Sequence, residues 1–171
     1  TDSRADFHAE NLRLSSDGHY TFDLVHPDGV LRDINVGTLG ILNVENSIAA
    51  AAVALLHGTS EEAVREAIGT FKGVKRRMEE HLNEPGLTYI DDYAHHPAEL
   101  TASIRTIKEI FPGRNVCAVF QPHLFTRTRD FAKEFAEALS LADEAVLLDI
   151  YPARELPIEG ITSEIIYKDV T

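Results

Sequence analysis

The sequence predicts an α/β protein built in two pieces, and three observations carry that expectation. Residues 88–151 alternate short apolar runs with amphipathic stretches, in the order strand, helix, strand, helix, strand. The first forty residues instead look like β-structure, residues 19–36 alternating apolar and polar positions on both sides of a turn signal. Between the two blocks, near residues 74–78, the pattern changes at the basic stretch KGVKRR, so residues 1–74 and 75–171 are read as separate pieces.

The elements follow in chain order. HYTFDLVHPDGVLRDINV has period-two alternation around HPDG, which predicts a β-hairpin. An Ala-rich run from about Val44 to His57, closed by Gly58, predicts a packed helix. In TSEEAVREAIGTF, Thr59 and Glu62 have capping-box spacing, and Ala63, Ala67, Ile68 and Phe71 supply an apolar stripe. MEEHLNEPGLTYIDDY reads as two strands about a turn at EPG. Pro97 opens an amphipathic helix whose Leu100, Ile104, Ile107 and Phe111 fall at helical spacing. NVCAVFQP is then a strand, TRDFAKEFAEALSLAD a helix and EAVLLDIYP a strand. That alternation is the signature of a parallel sheet with right-handed helical crossovers. No GxGxxG follows any strand, so the dinucleotide-binding version of such a sheet has no support.

Composition bounds the function. The chain has 171 residues, 44% of them apolar, enough for a real core. Its 28 acids against 16 Lys and Arg give a formal charge of -12, which argues against nucleic acid or an anionic membrane as partner. The single cysteine, Cys117, lies in an apolar run and is expected to be a buried thiol. The longest apolar run, IAAAAVALL, is too short for a bilayer, and the N-terminus has no basic region followed by an apolar one. The setting expected from this is cytoplasmic.

Ligands of open α/β sheets bind beyond the carboxyl ends of the strands. The segments there are DDYAHHP (91–97), QPHLFTRTR (121–129) and YPARE (151–155), and they concentrate the titratable residues. Charged groups appear where strands leave the core because inside it they would be desolvated. Each residue taken singly is an ordinary loop residue that caps a helix or pairs at the surface. Three such segments together point to a shared site. A metal site of Asp91, Asp92, His95 and His96 is disfavoured, because neighbours in an extended segment point in opposite directions. A hydrolase using His95 and His123 lacks a convincing nucleophile. Arg and His suit anionic oxygens, and an Asp at a strand end suits ribose hydroxyls. The chemistry suggested is recognition of a nucleotide and of a carboxylate substrate.

GVKRRME, DDYAHHPAE, FQPHLFTRTRDF, DIYPARELPIEGITS and GILNVENSIAAAAVA closely resemble the Mur ligase family. Within it they are most similar to the branch that joins L-alanine to UDP-N-acetylmuramate in peptidoglycan synthesis. The sibling that recycles murein tripeptide shares the DDxAHHP style of motif but differs at FQPHLFTRTR. The resemblance implies a Rossmann-like C-terminal domain over 75–171, preceded over 1–74 by the end of a central ATP-binding domain. It also implies a chain that is part of a longer enzyme, since the family's GxxGK[ST] loop and its UDP-sugar domain are not in this sequence. The implied reaction uses ATP and Mg2+, the metal ligands being expected elsewhere in the central domain. ATP phosphorylates the muramyl carboxylate, and the amine of L-alanine attacks the acyl phosphate. Carried over by position, Asn46 is implied to meet adenine, Arg77 the nucleotide, and Asp92 the ribose. Tyr93 and His95 fall at the nucleotide and amino-acid end, and His123 and Arg127 face the amino acid and the reacting phosphate. Arg129 is expected to pair on the helix surface and His96 to cap the helix at Pro97. The chain departs from the family pattern at Leu42 and Leu124, where relatives carry His and Arg, and at Ala94, where Gly is commoner.

Overall fold

In the computed structural model, which describes residues 2–171, β1 (His8–Leu14) pairs antiparallel with β2 (His19–His26), and β2 with β3 (Gly29–Leu39). The hairpin closes at His26↔Gly29 over the expected turn. Tyr20, Phe22 and Leu24 alternate onto the buried face of β2. On β3 the buried positions are Leu31, then Ile34, Val36 and Leu39, so the period slips between Leu31 and Ile34, and the register shifts again before Leu39. The slip is a bulge: β3 uses three residues against two of β2, and Asp33 sits at φ 55°. A second bulge lies in β1 at Asn11, φ 49°. Asp23, 4% exposed, ties both, accepting from the Asp33 amide at 2.8 Å and from Asn11 Nδ2 at 2.9 Å. These two donors hold its carboxyl below the usual aspartate range.

Two helices cover this sheet. α1 (Ile41–Leu56) begins three residues before the expected Val44 and buries Val44, Ile48 and Ala51, a single stripe at helical spacing. α2 (Glu61–Thr70) is capped by Ser60, whose hydroxyl accepts from Ala63 N, rather than by Thr59. Its buried residues are Val64 and Ile68, while Ala63, Ala67 and Phe71 are exposed, so the expected stripe is rotated toward Val64. α2 approaches β3 backbone to backbone. A Cβ on Gly37 would lie 2.5 Å from the Phe71 carbonyl oxygen and 2.6 Å from that of Gly69. Then β4 (Glu79–Glu84) and β5 (Leu87–Asp91) form an antiparallel hairpin about Pro85-Gly86.

The chain divides into two compact units, residues 1–93 and 94–171. The second starts with α3 (Pro97–Ile110), then β6 (Cys117–Phe120), α4 (Phe125–Asp130), α5 (Ala132–Leu139), β7 (Glu144–Leu147) and α6 (Glu164–Tyr167). β6 and β7 pair in parallel, Cys117 with Glu144 through Phe120 with Leu147. Leu100, Ile104, Phe120, Phe135, Leu139 and Ile166 make the core of this unit. Asp143 fastens α3 to the start of β6, accepting from Lys108 Nζ at 3.0 Å and from Val116 N at 2.8 Å.

Several expectations change. The parallel arrangement read over residues 88–151 holds for its last two strands, whereas β5 hydrogen-bonds antiparallel to β4. A connection as short as Pro85-Gly86 permits only antiparallel pairing. Cys117 is exposed, not buried. It shares one face of the β6–β7 pair with Val119, which is 66% exposed, while Ala118 and Phe120 on the other face meet the core cluster. The helix expected from Thr128 onward is two helices, broken at Phe131, whose φ and ψ of -123° and 20° leave the helical region. Among the described residues no helix is long and apolar enough to cross a membrane.

Two outcomes follow. Gly37→Ala must push α2 off β3 and is expected to lower unfolding stability by about 1–3 kcal/mol, as overpacking does; an unchanged denaturant midpoint would refute the close approach. Because the folded carboxyl of Asp23 titrates below its unfolded value, its stabilisation is present above about pH 4 and is lost as pH falls further. Asp23→Asn, with one acceptor oxygen for two donors, should lower stability near neutral pH and flatten the acid limb of the stability–pH curve. An acid limb parallel to wild type would contradict this.

Candidate functional site

In the second unit the site is built where β6 and β7 leave their sheet. Parallel pairing resumes past both strands at an isolated bridge, His123↔Tyr151, with one more residue on the β7 side than the β6–β7 register would give. Tyr151 N donates to the Pro122 carbonyl at 2.8 Å, and Leu124 N donates to the Tyr151 carbonyl at 3.0 Å. The rings of His123 and Tyr151 stack at 4.7 Å with 25° between planes. Leu124 takes φ 72°, a conformation uncommon for a side-chain-bearing residue, and from it the chain enters α4. The Glu155 carboxylate meets the first turn of α4, accepting from Thr126 N at 2.9 Å and from the Thr126 hydroxyl. These bonds, first the hydroxyl and then the amide, hold the Glu155 carboxyl below the usual glutamate range, and the positive charge of Arg127 adds to the effect.

α4 carries Arg127, half-buried, whose Nη1 donates to the His95 carbonyl at 3.4 Å. His95 and His96 lead into α3. Both amides donate to Glu99 Oε2, at 3.0 and 3.1 Å, and His95 Nδ1 lies 3.3 Å from the same oxygen. His96 Nδ1 accepts from Ala98 N, completing a capping box with Glu99, and its ring meets the Phe131 ring edge-on at 4.9 Å. The His95 amide is the first cause of the lowered Glu99 carboxyl, its imidazole charge another. His96 is thus a cap, as expected, and its ring packs against Phe131, the residue at which α4 gives way to α5. Arg129 pairs with Asp130 at 2.7 Å, also as expected. The structure therefore brings Arg127 to the backbone of His95, and sets His123 against Tyr151.

The remaining candidates lie in the first unit. Asn46 is exposed in the second turn of α1, its Nδ2 donating to Asn43 Oδ1 at 3.3 Å. Asp92 is half-buried just after β5, and Tyr93 follows it. Tyr93 N donates to the Arg76 carbonyl at 2.6 Å, and the Arg76 guanidinium lies 5.1 Å over the Tyr93 ring. Arg76 Nε is also 3.5 Å from Asp91 Oδ2, and its amide donates to Glu79 Oε2 at 2.7 Å. Arg77, the Arg singled out from the sequence, is exposed with its amide on Val74 O. Glu79, His81 and Asp91 bring donor atoms within 4.8 Å of one another on the hairpin, and the cation set against them is Arg76.

Sequence reasoning missed Arg76, Tyr151 and Glu155. The pair of arginines in KRR does not say which one turns back on the hairpin, and that choice depends on Arg76 adopting φ 57°. Tyr151 and Glu155 were legible only as members of a polar strand end. Their pairing with residues 122–126 is a tertiary fact.

Residues 76–171 match the family described as Mur ligase, glutamate ligase domain. The chain is 52% identical, over 98% of its own length, to the UDP-N-acetylmuramate–L-alanine ligase of Parabacteroides distasonis, and it spans 36% of that relative. The chain therefore spans about a third of the length of the curated relatives it matches. Among solved structures, the UDP-N-acetylmuramate–alanine ligase of Thermotoga maritima superimposes over 98% of the chain and 35% of its own, with a TM-score of 0.73 at 26% identity. A murein peptide ligase from Psychrobacter arcticus covers 99% of the chain and 34% of its own, with a TM-score of 0.54, also at 26% identity. A domain match over residues 76–171 and half-identity to a curated ligase along nearly the whole chain establish that this protein belongs to the Mur ligase family.

Proposed function

We propose that the full-length protein carrying this chain joins L-alanine to UDP-N-acetylmuramate in an ATP-driven reaction of the cytoplasm. The observation that carries this reading is the 52% identity, over 98% of the chain, to a curated ligase of that name. In this reading residues 1–74 are the end of the central ATP-binding domain and residues 75–171 the C-terminal domain.

The proposed chemistry has two steps. The muramyl carboxylate attacks the γ-phosphorus of ATP, giving an acyl phosphate and ADP. The uncharged amine of L-alanine then adds to the acyl carbon, and the tetrahedral intermediate expels phosphate as the amide forms. Holding the reactants in line and meeting the developing negative charge are the tasks left to the protein. Arg127 is assigned to the carboxylate of the amino acid and the reacting phosphoryl oxygens. A guanidinium carries five N–H donors in a rigid fork, and the His95 carbonyl engages one of its nitrogens. That anchoring limits the rotamers Arg127 can visit. His95 and His123 are assigned to the same amino-acid and phosphate end. Asn46, Arg77, Asp92 and Tyr93 are assigned to the nucleotide, with Asp92 on the ribose hydroxyls. Magnesium is assigned to no residue of this chain: the donor group of Glu79, His81 and Asp91 includes an imidazole, which suits transition ions better than Mg2+.

In the full-length enzyme, Arg127→Ala is expected to lower kcat/KM for L-alanine roughly a hundredfold, which corresponds to about 3 kcal/mol for a charge-assisted bidentate contact. Unchanged turnover at limiting L-alanine would remove the role. Supplying L-alanine and murein tripeptide as competing acceptors tests the branch of the family, and preference for the tripeptide would reassign it. The 171-residue chain by itself, which has no phosphate-binding GxxGK[ST] loop, is expected to show no ATPase activity; steady phosphate release from the pure chain would contradict the proposal.

A further inference from the structure

The segment 151–155 does more to residues 122–127 than connect nearby elements. Five features join the two loops: Tyr151 N to Pro122 O, Leu124 N to Tyr151 O, the two bonds from Thr126 to Glu155, and the His123–Tyr151 stack. The covalent path between these loops runs through α4, α5 and β7, so none of these contacts is imposed by chain proximity. They converge on the stretch that presents His123 and Arg127. A six-residue helix such as α4 has little stability of its own, because helix nucleation is costly and short helices are marginal in water. Its start also leaves amide groups without intrahelical partners. Thr126 N, one of these, goes to Glu155, and Leu124 N, just before the helix, goes to Tyr151 O. The direction in which Arg127 leaves the backbone is therefore set from outside α4.

We infer that Glu155 and Tyr151 are positioning residues for the amino-acid end of the site, Glu155 fixing the turn that carries Arg127 and Tyr151 fixing the ring plane of His123. This rests on the reading of Arg127 and His123 given above, and it adds two residues that act through those side chains. It has a specific consequence for how variants behave. Glutamine at 155 keeps both contacts, since its carbonyl accepts from Thr126 N and its amide donates to the Thr126 hydroxyl. Alanine keeps neither. Phenylalanine at 151 preserves the ring stack, and the two backbone bonds of residue 151 do not depend on its side chain.

The test uses Glu155→Ala, Glu155→Gln, Tyr151→Ala and Tyr151→Phe in the full-length enzyme, with KM measured separately for L-alanine, ATP and the UDP-sugar. The expected result is a tenfold or larger rise in KM for L-alanine for the two alanine variants, with the other two KM values within twofold of wild type. Glu155→Gln and Tyr151→Phe should stay within about threefold of wild type throughout. Unaltered KM values in the alanine variants overturn the inference. So does a parallel loss in all parameters accompanied by a lowered melting temperature, because that marks a general structural role. Glu155→Gln as impaired as Glu155→Ala also overturns it, since charge rather than geometry would then matter. A companion measurement on the 171-residue chain separates this inference from the functional reading. The Nε–Hε NMR resonance of Arg127 should be sharp in wild type and Glu155→Gln and broadened or lost in Glu155→Ala. If the wild-type enzyme fails to use L-alanine while that spectral pattern appears, the functional reading falls and the positioning stands. If the resonance is the same in all three proteins, the positioning falls.

Discussion

Once Cys117 lies beside Glu144 and Phe120 beside Leu147, the chain leaving β6 and the chain leaving β7 emerge side by side and pointing the same way. The parallel register is the constraint on which the second unit's site depends. Past the ladder, with one extra residue on the β7 side, Pro122 meets the Tyr151 amide and His123 the Tyr151 ring, and Glu155 lies where α4 needs an acceptor. What fixes the register is burial on one face. Phe120 packs against Phe135 with ring centroids 5.1 Å apart, and a slip of one residue would turn Phe120 toward solvent and Val119 inward. A packing decision in the core is in this way converted into the orientation of an arginine and a histidine outside it.

The first unit solves a related problem with charge. The buried Asp23 carboxylate accepts from the Asp33 backbone amide at one bulge and from the Asn11 side-chain amide at the other. Replacing either donor would leave an anion short of a partner in a nearly solvent-free position, which is costly. At the end of that unit Arg76 has a comparable role, its carbonyl, amide and guanidinium meeting Tyr93 N, Glu79 and Asp91. The two carboxylates Glu79 and Asp91 face each other directly across the hairpin, an arrangement that repels unless a cation is present. Arg76 supplies that cation.

Elements whose cause is local were legible in the sequence. HPDG, EPG, Pro97 and Gly58 each mark a turn or a helix limit by backbone chemistry that needs no partner, and the hairpins and the helix boundaries at these signals follow. The three-residue step from Leu31 to Ile34 was a visible trace of the bulge, but period-two reading passes over it. Other features depended on what lies opposite. Cys-Ala-Val-Phe is apolar at every position, so the sequence of β6 does not reveal which face is covered. Thr59 and Ser60 offer the same hydroxyl one residue apart, and the turn of the chain chooses Ser60. β1 has too few apolar residues to announce itself and owes its place to pairing with β2. The candidate site divides in the same manner: residue types such as His123 and Arg127 stood out beside apolar runs, whereas the supports Tyr151, Glu155 and Arg76 became visible only through their contacts.

The most direct measurement of this account is amide hydrogen exchange in the 171-residue chain, read residue by residue at Tyr151, Leu124 and Thr126. These amides lie outside every strand and have not entered a regular helical ladder, so loops of the same composition would exchange quickly. The account predicts protection comparable to that of the β6–β7 ladder amides, because the His123↔Tyr151 bridge and the Glu155 carboxylate hold them. Exchange at the rate of exposed loop amides would contradict it, since His123 and Arg127 would then have no fixed support.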